Sequence, residues 1–312
     1  MIVAPRRGGL RGRAADVALG LRLRRARFDL AIDFHGGPRA SLLAWLSGAP
    51  RRIGYEIRGR GWMYTERVAR PRELRARHSV ENQWDLLAPL GIAPPSRAAY
   101  PMEMPADPAI AGAVGDRLAR AGVGGDDSIV VLHVSAGNPF RRWPAAHFVD
   151  LVTALARDDD RQRIVVTSGP SERDAAAHVA AAAQERLGPA RSHQVVACGE
   201  LSLAALRALL DRASLYIGGD SGPLHVAATT AVPIVGLYGP TLPARSAPWR
   251  TPACPTESVE AVDLPCRPCN QRVCEPGDFR CLASIDPARV FAAAKRALDA
   301  APQSSTPQRP RR

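Results

Sequence analysis

Five apolar runs in the second half of the chain decide its fold class. "SIVVLHVSAG", "QRIVVTSGP", "SHQVVACG", "SLYIGG" and "VPIVGLYG" are short, rich in Val and Ile, and closed by turn residues. Helical segments alternate with them: "WPAAHFVDLVTALARD", "SERDAAAHVAAAAQERL", "SLAALRALLDRA" and the small-residue "PLHVAATTA". Runs that are apolar at nearly every position suit strands buried on both faces. Their alternation with helices requires crossover connections. The pattern predicts an α/β fold built on an open parallel sheet with helices on both sides.

The first half is less regular. "FDLAIDF" and "RRIGYE" read as short strands around the turn and helix of "HGGPRASLLAWLSGA". Residues 58 to 77 read as basic and irregular, and "SVENQWDLLAPLGI" has helical spacing with Ser79 as its N-cap. A Pro-rich extended stretch leads to the helix "AIAGAVGDRLARAGV", and "GGDD" marks the expected joint between halves. "IDPARVFAAAKRALDA" is a last helix, followed by the polar tail "APQSSTPQRPRR", expected to be disordered.

At 312 residues the chain has room for two ordinary domains. No apolar run reaches membrane-spanning length and the N-terminal stretch lacks an apolar signal core, so a soluble globular protein without a secretory signal is expected. The net charge of +12 is strongly asymmetric. Residues 1 to 80 hold 18 arginines against 6 acidic residues, so the remainder is neutral. One basic end suits an anionic surface. A nucleic-acid reader is disfavoured, because no basic stripe carries interleaved aromatics.

Four of six cysteines, Cys266, Cys269, Cys274 and Cys281, fall within "CRPCNQRVCEPGDFRC". Without a secretory signal these read as reduced thiols. They are candidate ligands of one structural zinc, set against a loop of plain thiols.

In a doubly wound sheet, ligands bind where strand ends lead into helix starts. "YIGGDSGPLHVAATTAVPIVGLYGPT" puts Gly218, Gly219, Asp220, Ser221 and Gly222 at such an end, with Pro223 at the first helical position. The unpaired N–H groups there suit a phosphate or diphosphate. Asp220 fits as a partner for sugar hydroxyls or as an N-cap. The alternative is a tight strand-to-helix turn with His225 packed in its helix. A second anion loop, "HVSAGNPFRRWP", brings Ser135, Gly137, Asn138, Arg141 and Arg142, and an arginine fork suits phosphate oxygens.

"SAGNPFRRWPAAHFVDL", "GGDSGPLHVAATTAVPIVGLYGPT", the Cys-rich segment and "FDLAIDFHGGPRASLLAWLSGAPRRIGY" together resemble glycosyltransferase family 9, the bacterial heptosyltransferases of lipopolysaccharide core synthesis. The resemblance implies the GT-B type, two Rossmann-like domains with parallel sheets. It implies a truncated acceptor-side domain at 1–122, a nucleotide-sugar domain at 123–284, a C-terminal helix at 285–300 and a tail at 301–312. The implied reaction is inverting transfer of a heptose from ADP-heptose to a core glycolipid, in the cytoplasm at the inner membrane. Ser135, Asn138, Arg141, Asp220, Ser221, Gly222, His225 and Thr241 are the implied donor-binding residues. Arg141 stands where the family commonly has Lys. No Asp-x-Asp motif accompanies these loops, so no catalytic divalent ion is required.

The family opens with a strand and a Gly-Asp loop that carries the general base, and neither is found in this sequence. Asp33 and His35 are weak candidates for a substitute, while Asp16 precedes a helix and does not take the role. A start upstream of Met1 is the favoured explanation. The rival reading is an inactive remnant that binds a nucleotide-sugar or glycolipid.

Overall fold

The structure is a computed structural model that describes residues 9–69, 77–134, 137–269 and 271–301. The chain divides into two units at Pro95/Ser96.

Unit 1 begins with α1 (Gly9–Arg25), whose last turn carries Arg22, Arg24 and Arg25, where cations favour the helix dipole. β1 (Leu30–Ile32), α2 (Pro38–Leu46), β2 (Arg51–Tyr55), β3 (Glu66–Val68) and α3 (Ser79–Trp84) follow. The three strands are parallel in the order β1-β2-β3, around a small core of Ile53, Tyr55 and Leu86. β3 lies inside the segment read as irregular. Its "ERV" has no apolar run to reveal it, and half-burial is all an edge strand requires. The cap of α3 is His78, not Ser79. Its Nδ1 accepts the Val80 N–H at 3.2 Å while Glu81 accepts the His78 N–H at 3.0 Å, a reciprocal capping box.

Unit 2 contains α4 (Pro108–Arg120), β4 (Ser128–His133), α5 (Ala145–Asp158), β5 (Gln162–Ser168), α6 (Arg173–Arg191), β6 (Val195–Glu200) and α7 (Leu203–Leu210). It continues through β7 (Leu215–Gly219), α8 (Gly222–Ala227), β8 (Ile234–Tyr238), α9 (Pro243–Ser246), β9 (Thr256–Glu260), α10 (Arg280–Ala283) and α11 (Pro287–Asp299). Its six parallel strands run in the order β6-β5-β4-β7-β8-β9. The first three strands fill one half of the sheet outward from β4 and the last three fill the other. This is the doubly wound Rossmann arrangement, with its topological switch between β4 and β7. The fold class read from the sequence, two parallel-sheet Rossmann-like units, is the one found.

Strand alternation sorts the unit 2 core into two layers. Val130, Leu132, Ile164, Val166, Leu215 and Ile217 pack with α5, α6 and α11. Ile129, Val131, Val165, Val196, Tyr216 and Ile234 pack with α4, α7 and α8. The second layer explains where the chain divides. α4 was expected in the N-terminal domain, but its Val114 and Leu118 join Leu206, Leu209 and Leu210 of α7. The N-terminal boundary therefore falls before α4 and not at 122. α11 belongs to unit 2 in the same way, burying Val290, Ala293, Ala294 and Ala297. β9 was not expected. It pairs with β8 at the sheet edge and buries only Val259, too little to mark "TESVE" as a strand. The tail from residue 302 lies outside the described residues.

Candidate functional site

The switch between β4 and β7 brings together the two loops singled out in the sequence. Asp220 follows β7, and its carboxylate is almost wholly buried. Oδ2 accepts the hydroxyl of Thr241 at 2.6 Å and that of Ser246 at 3.1 Å. Arg141 Nη1 lies 3.4 Å from the same oxygen and donates to the Asp220 backbone carbonyl at 2.9 Å. Three chain segments, after β4, β7 and β8, are thus joined at one carboxylate. Asp220 is not the N-cap of α8, one of the roles considered for it. That position is Ser221, whose hydroxyl donates to the Gly219 carbonyl at 3.3 Å and makes no capping bond.

His225 Nε2 is 3.8 Å from Asp220 Oδ1, beyond hydrogen-bond reach. Its pKa is lowered, first by burial and also by the Arg141 charge, with Asp220 opposing. The neutral form of His225 is thus favoured, and among the described residues its buried Nδ1 has no hydrogen-bond partner.

Two of the glycines here make room for protein. A Cβ on Gly218 would sit 2.4 Å from the Tyr216 hydroxyl, and one on Gly219 would sit 3.2 Å from the Arg141 carbonyl oxygen. Gly222 is exposed and faces open space, as does Gly137 in the loop after β4, so these two leave backbone open to a ligand.

In the loop after β4, Asn138 is committed to the protein. Its Oδ1 accepts the Phe140 N–H at 3.0 Å and its Nδ2 donates to Gln271 at 2.8 Å. Arg142 pairs with Glu172 at 2.6 Å; the Arg141 side chain is 29% exposed, and among the described residues no acceptor is found for its Nη2. Ser135 lies outside the described residues. Beside these loops is a cavity of about 230 Å³, lined by His133, Thr167, Ser168, Ser221 and Gly222 among others. His133 is buried, with Nδ1 2.9 Å from the Thr167 hydroxyl, and burial pushes its pKa down to about 4.

Unit 1 holds its own buried aspartate. Asp33 Oδ1 accepts the N–H groups of His35 at 2.9 Å and Gly36 at 2.8 Å, and Oδ2 accepts the Tyr64 hydroxyl at 2.6 Å. The Tyr64 ring lies across Gly54, where a Cβ would be 2.4 Å away. Burial, and then the bond to Asp33, push the Tyr64 phenol up to about 12. A carboxylate holding this turn and a tyrosine is occupied structurally, which argues against Asp33 as a base. His35 is exposed, with its ring over Gly37. Asp16 accepts the Arg39 fork at 2.7 and 2.9 Å.

The four clustered cysteines are free thiols lining a single cavity of about 680 Å³. Among the described residues no group of three or more His, Cys, Asp or Glu is arranged to hold a metal ion. The segment does carry contacts the sequence reading missed. Gln271 takes Arg141 Nε at 2.7 Å, Cys269 N–H donates to Pro240 at 3.2 Å, and Arg267 donates to the carbonyls of Gly239, Tyr238 and Thr241. Ser246 lies outside the motifs, and His133 and Gln271, though inside quoted segments, are singled out only by their partners in space.

The model of glycosyltransferase family 9 (heptosyltransferase) matches residues 17–278. The chain belongs to this family. A lipopolysaccharide heptosyltransferase 3 of Escherichia coli is 29% identical over 233 residues, covering 73% of this chain and 64% of that protein. The solved family 9 glycosyl transferase of Veillonella parvula superposes with a TM-score of 0.75 at 24% identity, covering 95% of this chain and 81% of that one. E. coli ADP-heptose lipopolysaccharide heptosyltransferase II superposes with a TM-score of 0.69 at 19% identity, covering 91% and 80%. These structural likenesses show a shared fold. The chain spans about half to two thirds of the length of the curated relatives it matches. Among its described residues no helix is long and apolar enough to cross a membrane.

Proposed function

We propose that unit 2 holds the diphosphate of ADP-heptose and that the protein transfers the heptose to an anionic lipopolysaccharide-core acceptor. The observation that carries this reading is the joining of Arg141, Asp220 and Thr241 at the switch point, where Rossmann-type sheets bind nucleotides. Family membership supplies the reaction class. In inverting transfer an acceptor hydroxyl attacks the anomeric carbon and releases its proton to solvent while the bond to the diphosphate oxygen breaks, leaving negative charge on ADP. The remaining N–H donors of Arg141 and the backbone N–H groups at Ser221 and Gly222 stabilise that charge, and such fixed electrostatic help is usually the largest catalytic term. The 230 Å³ cavity is small for a whole nucleotide-sugar and takes one part of it, with Thr167, Ser168 and Ser221 as polar partners. The basic surplus of residues 1 to 80 favours peripheral contact with an anionic membrane surface that carries the acceptor.

The test is mass spectrometry of a heptose-deficient core glycolipid incubated with the protein and ADP-heptose. A product heavier by one heptose, with stoichiometric ADP release, supports the reading. ADP binding without transfer reduces it to a donor-binding protein, and absence of ADP binding removes it.

A further inference from the structure

The Cys-rich segment, whose spacing left a structural zinc open against plain thiols, makes polar contacts with both donor loops. Gln271 stands between Cys269 and Cys274, and its Oε1 accepts two hydrogen bonds from the loop after β4. One comes from Arg141 Nε at 2.7 Å and the other from Asn138 Nδ2 at 2.8 Å. Phe279 of the same segment meets Phe140 edge to face, with ring centroids 5.3 Å apart. On its other side the segment is anchored to the loop after β8. Arg267 donates to the Thr241 carbonyl at 2.9 Å and pairs with Glu260 at 2.6 Å, and Cys269 N–H donates to Pro240 at 3.2 Å. It therefore spans the two loops that also meet at Asp220.

Gln271 has φ +59°, in the left-handed region that a non-glycine residue seldom occupies. Such strain persists only where surrounding contacts hold it, and it gathers at functional sites. Here the conformation accompanies a side chain that reaches Arg141, the arginine that lies against Asp220.

We propose that Gln271 is a positioning residue for donor binding, acting through Arg141, which rests on the reading of unit 2 as the donor site. An arginine side chain has many rotamers, and a phosphate must order it on binding. Gln271 holds Nε while Asp220 holds Nη1, so the guanidinium plane is set before the ligand arrives. Affinity then gains from a cost already met in the free protein. A lysine at 141 has no Nε–H fork and could not be held from both sides, so Gln271 matters only while Arg141 is present.

The experiment is calorimetric titration of ADP into the wild type, Gln271→Met, Arg141→Lys and the double variant. Gln271→Ser is measured alongside, so that an exposed methionine is not mistaken for the loss of the acceptor. Gln271→Met and Gln271→Ser are expected to weaken ADP about tenfold, the scale of a hydrogen bond to a charged group. In the Arg141→Lys background the same change is expected to cost less than about twofold, since sites acting through one another are not additive. Unchanged melting temperatures show that the loss is local. Equal losses in both backgrounds would overturn the proposal by showing a merely structural role, as would no loss in the wild-type background. A wild type that does not bind ADP would instead remove the donor reading itself.

Discussion

Asp33 and Asp220 each follow immediately on a parallel strand, one in each unit, and each is almost wholly buried. Their partners differ in kind. Asp33 accepts two N–H groups of its own turn and a tyrosine across the sheet, so every contact is local to a small fold. Asp220 accepts the hydroxyls of Thr241, in the loop after β8, and of Ser246, at the end of α9, and faces a partly exposed arginine from the loop after β4. A buried carboxylate surrounded by backbone N–H groups holds a turn. One bound by side chains from several segments arranges a site, because its removal frees all of them at once.

The widest separation between the two comes from removing each in turn. Asp33→Ala leaves two turn N–H groups without their acceptor and the Tyr64 hydroxyl with only Ser41 Oγ, 2.7 Å away. It is expected to cost about 3 kcal/mol of stability by differential scanning calorimetry while leaving ADP affinity within twofold. Asp220→Ala is expected to lower ADP affinity about a hundredfold, because Arg141, Thr241 and Ser246 lose their common anchor. If the two variants lost ADP affinity equally, the contrast would fail.

Tyr64→Phe sharpens the unit 1 side. It is expected to cost about 2 kcal/mol in thermal unfolding, with no change in ADP titrations, since Asp33 keeps its backbone donors. Arg141→Lys sharpens the unit 2 side. The charge stays but the fork goes, and ADP binding should weaken about tenfold with little change in melting temperature.

His133 supplies the smallest effect. Its folded pKa of about 4 lies below the ordinary histidine value of 6.5, so the unfolded chain takes up the proton first as pH falls. The stability from keeping it neutral is full above pH 6.5 and declines toward pH 4. Between pH 7 and 5.5 the decline is about 1 kcal/mol. His133→Gln should flatten the pH dependence of unfolding across that window, and an unchanged slope would show that His133 titrates normally.

How far the sequence could be read follows from the same physics. β4, β5, β7 and β8 are buried on both faces, so each carries a short run rich in Val, Ile or Leu that stands out. β3 and β9 bury little and carry glutamates, so nothing separates them from loop. The ending of "AIAGAVGDRLARAGV" beside "GGDD" suggested a domain joint, but the packing of Val114 and Leu118 on α7 is invisible in chain order. Asp220, Thr241 and Arg141 were legible because they stand in motifs. Gln271 meets Arg141 across 130 residues of sequence, and its flanking cysteines drew attention to metal chemistry instead. The glycines of "YIGGDSGP" stand at the ligand-binding end of a strand, yet Gly218 and Gly219 accommodate Tyr216 and the Arg141 backbone.

The most direct measurement is paired calorimetric titration of ADP into the wild type, Asp220→Ala and Asp33→Ala under one buffer and salt condition. The account predicts one site in the wild type, a loss of about a hundredfold in Asp220→Ala, and affinity within twofold of the wild type in Asp33→Ala. Wild-type affinity in Asp220→Ala would contradict the assignment of the donor site to unit 2.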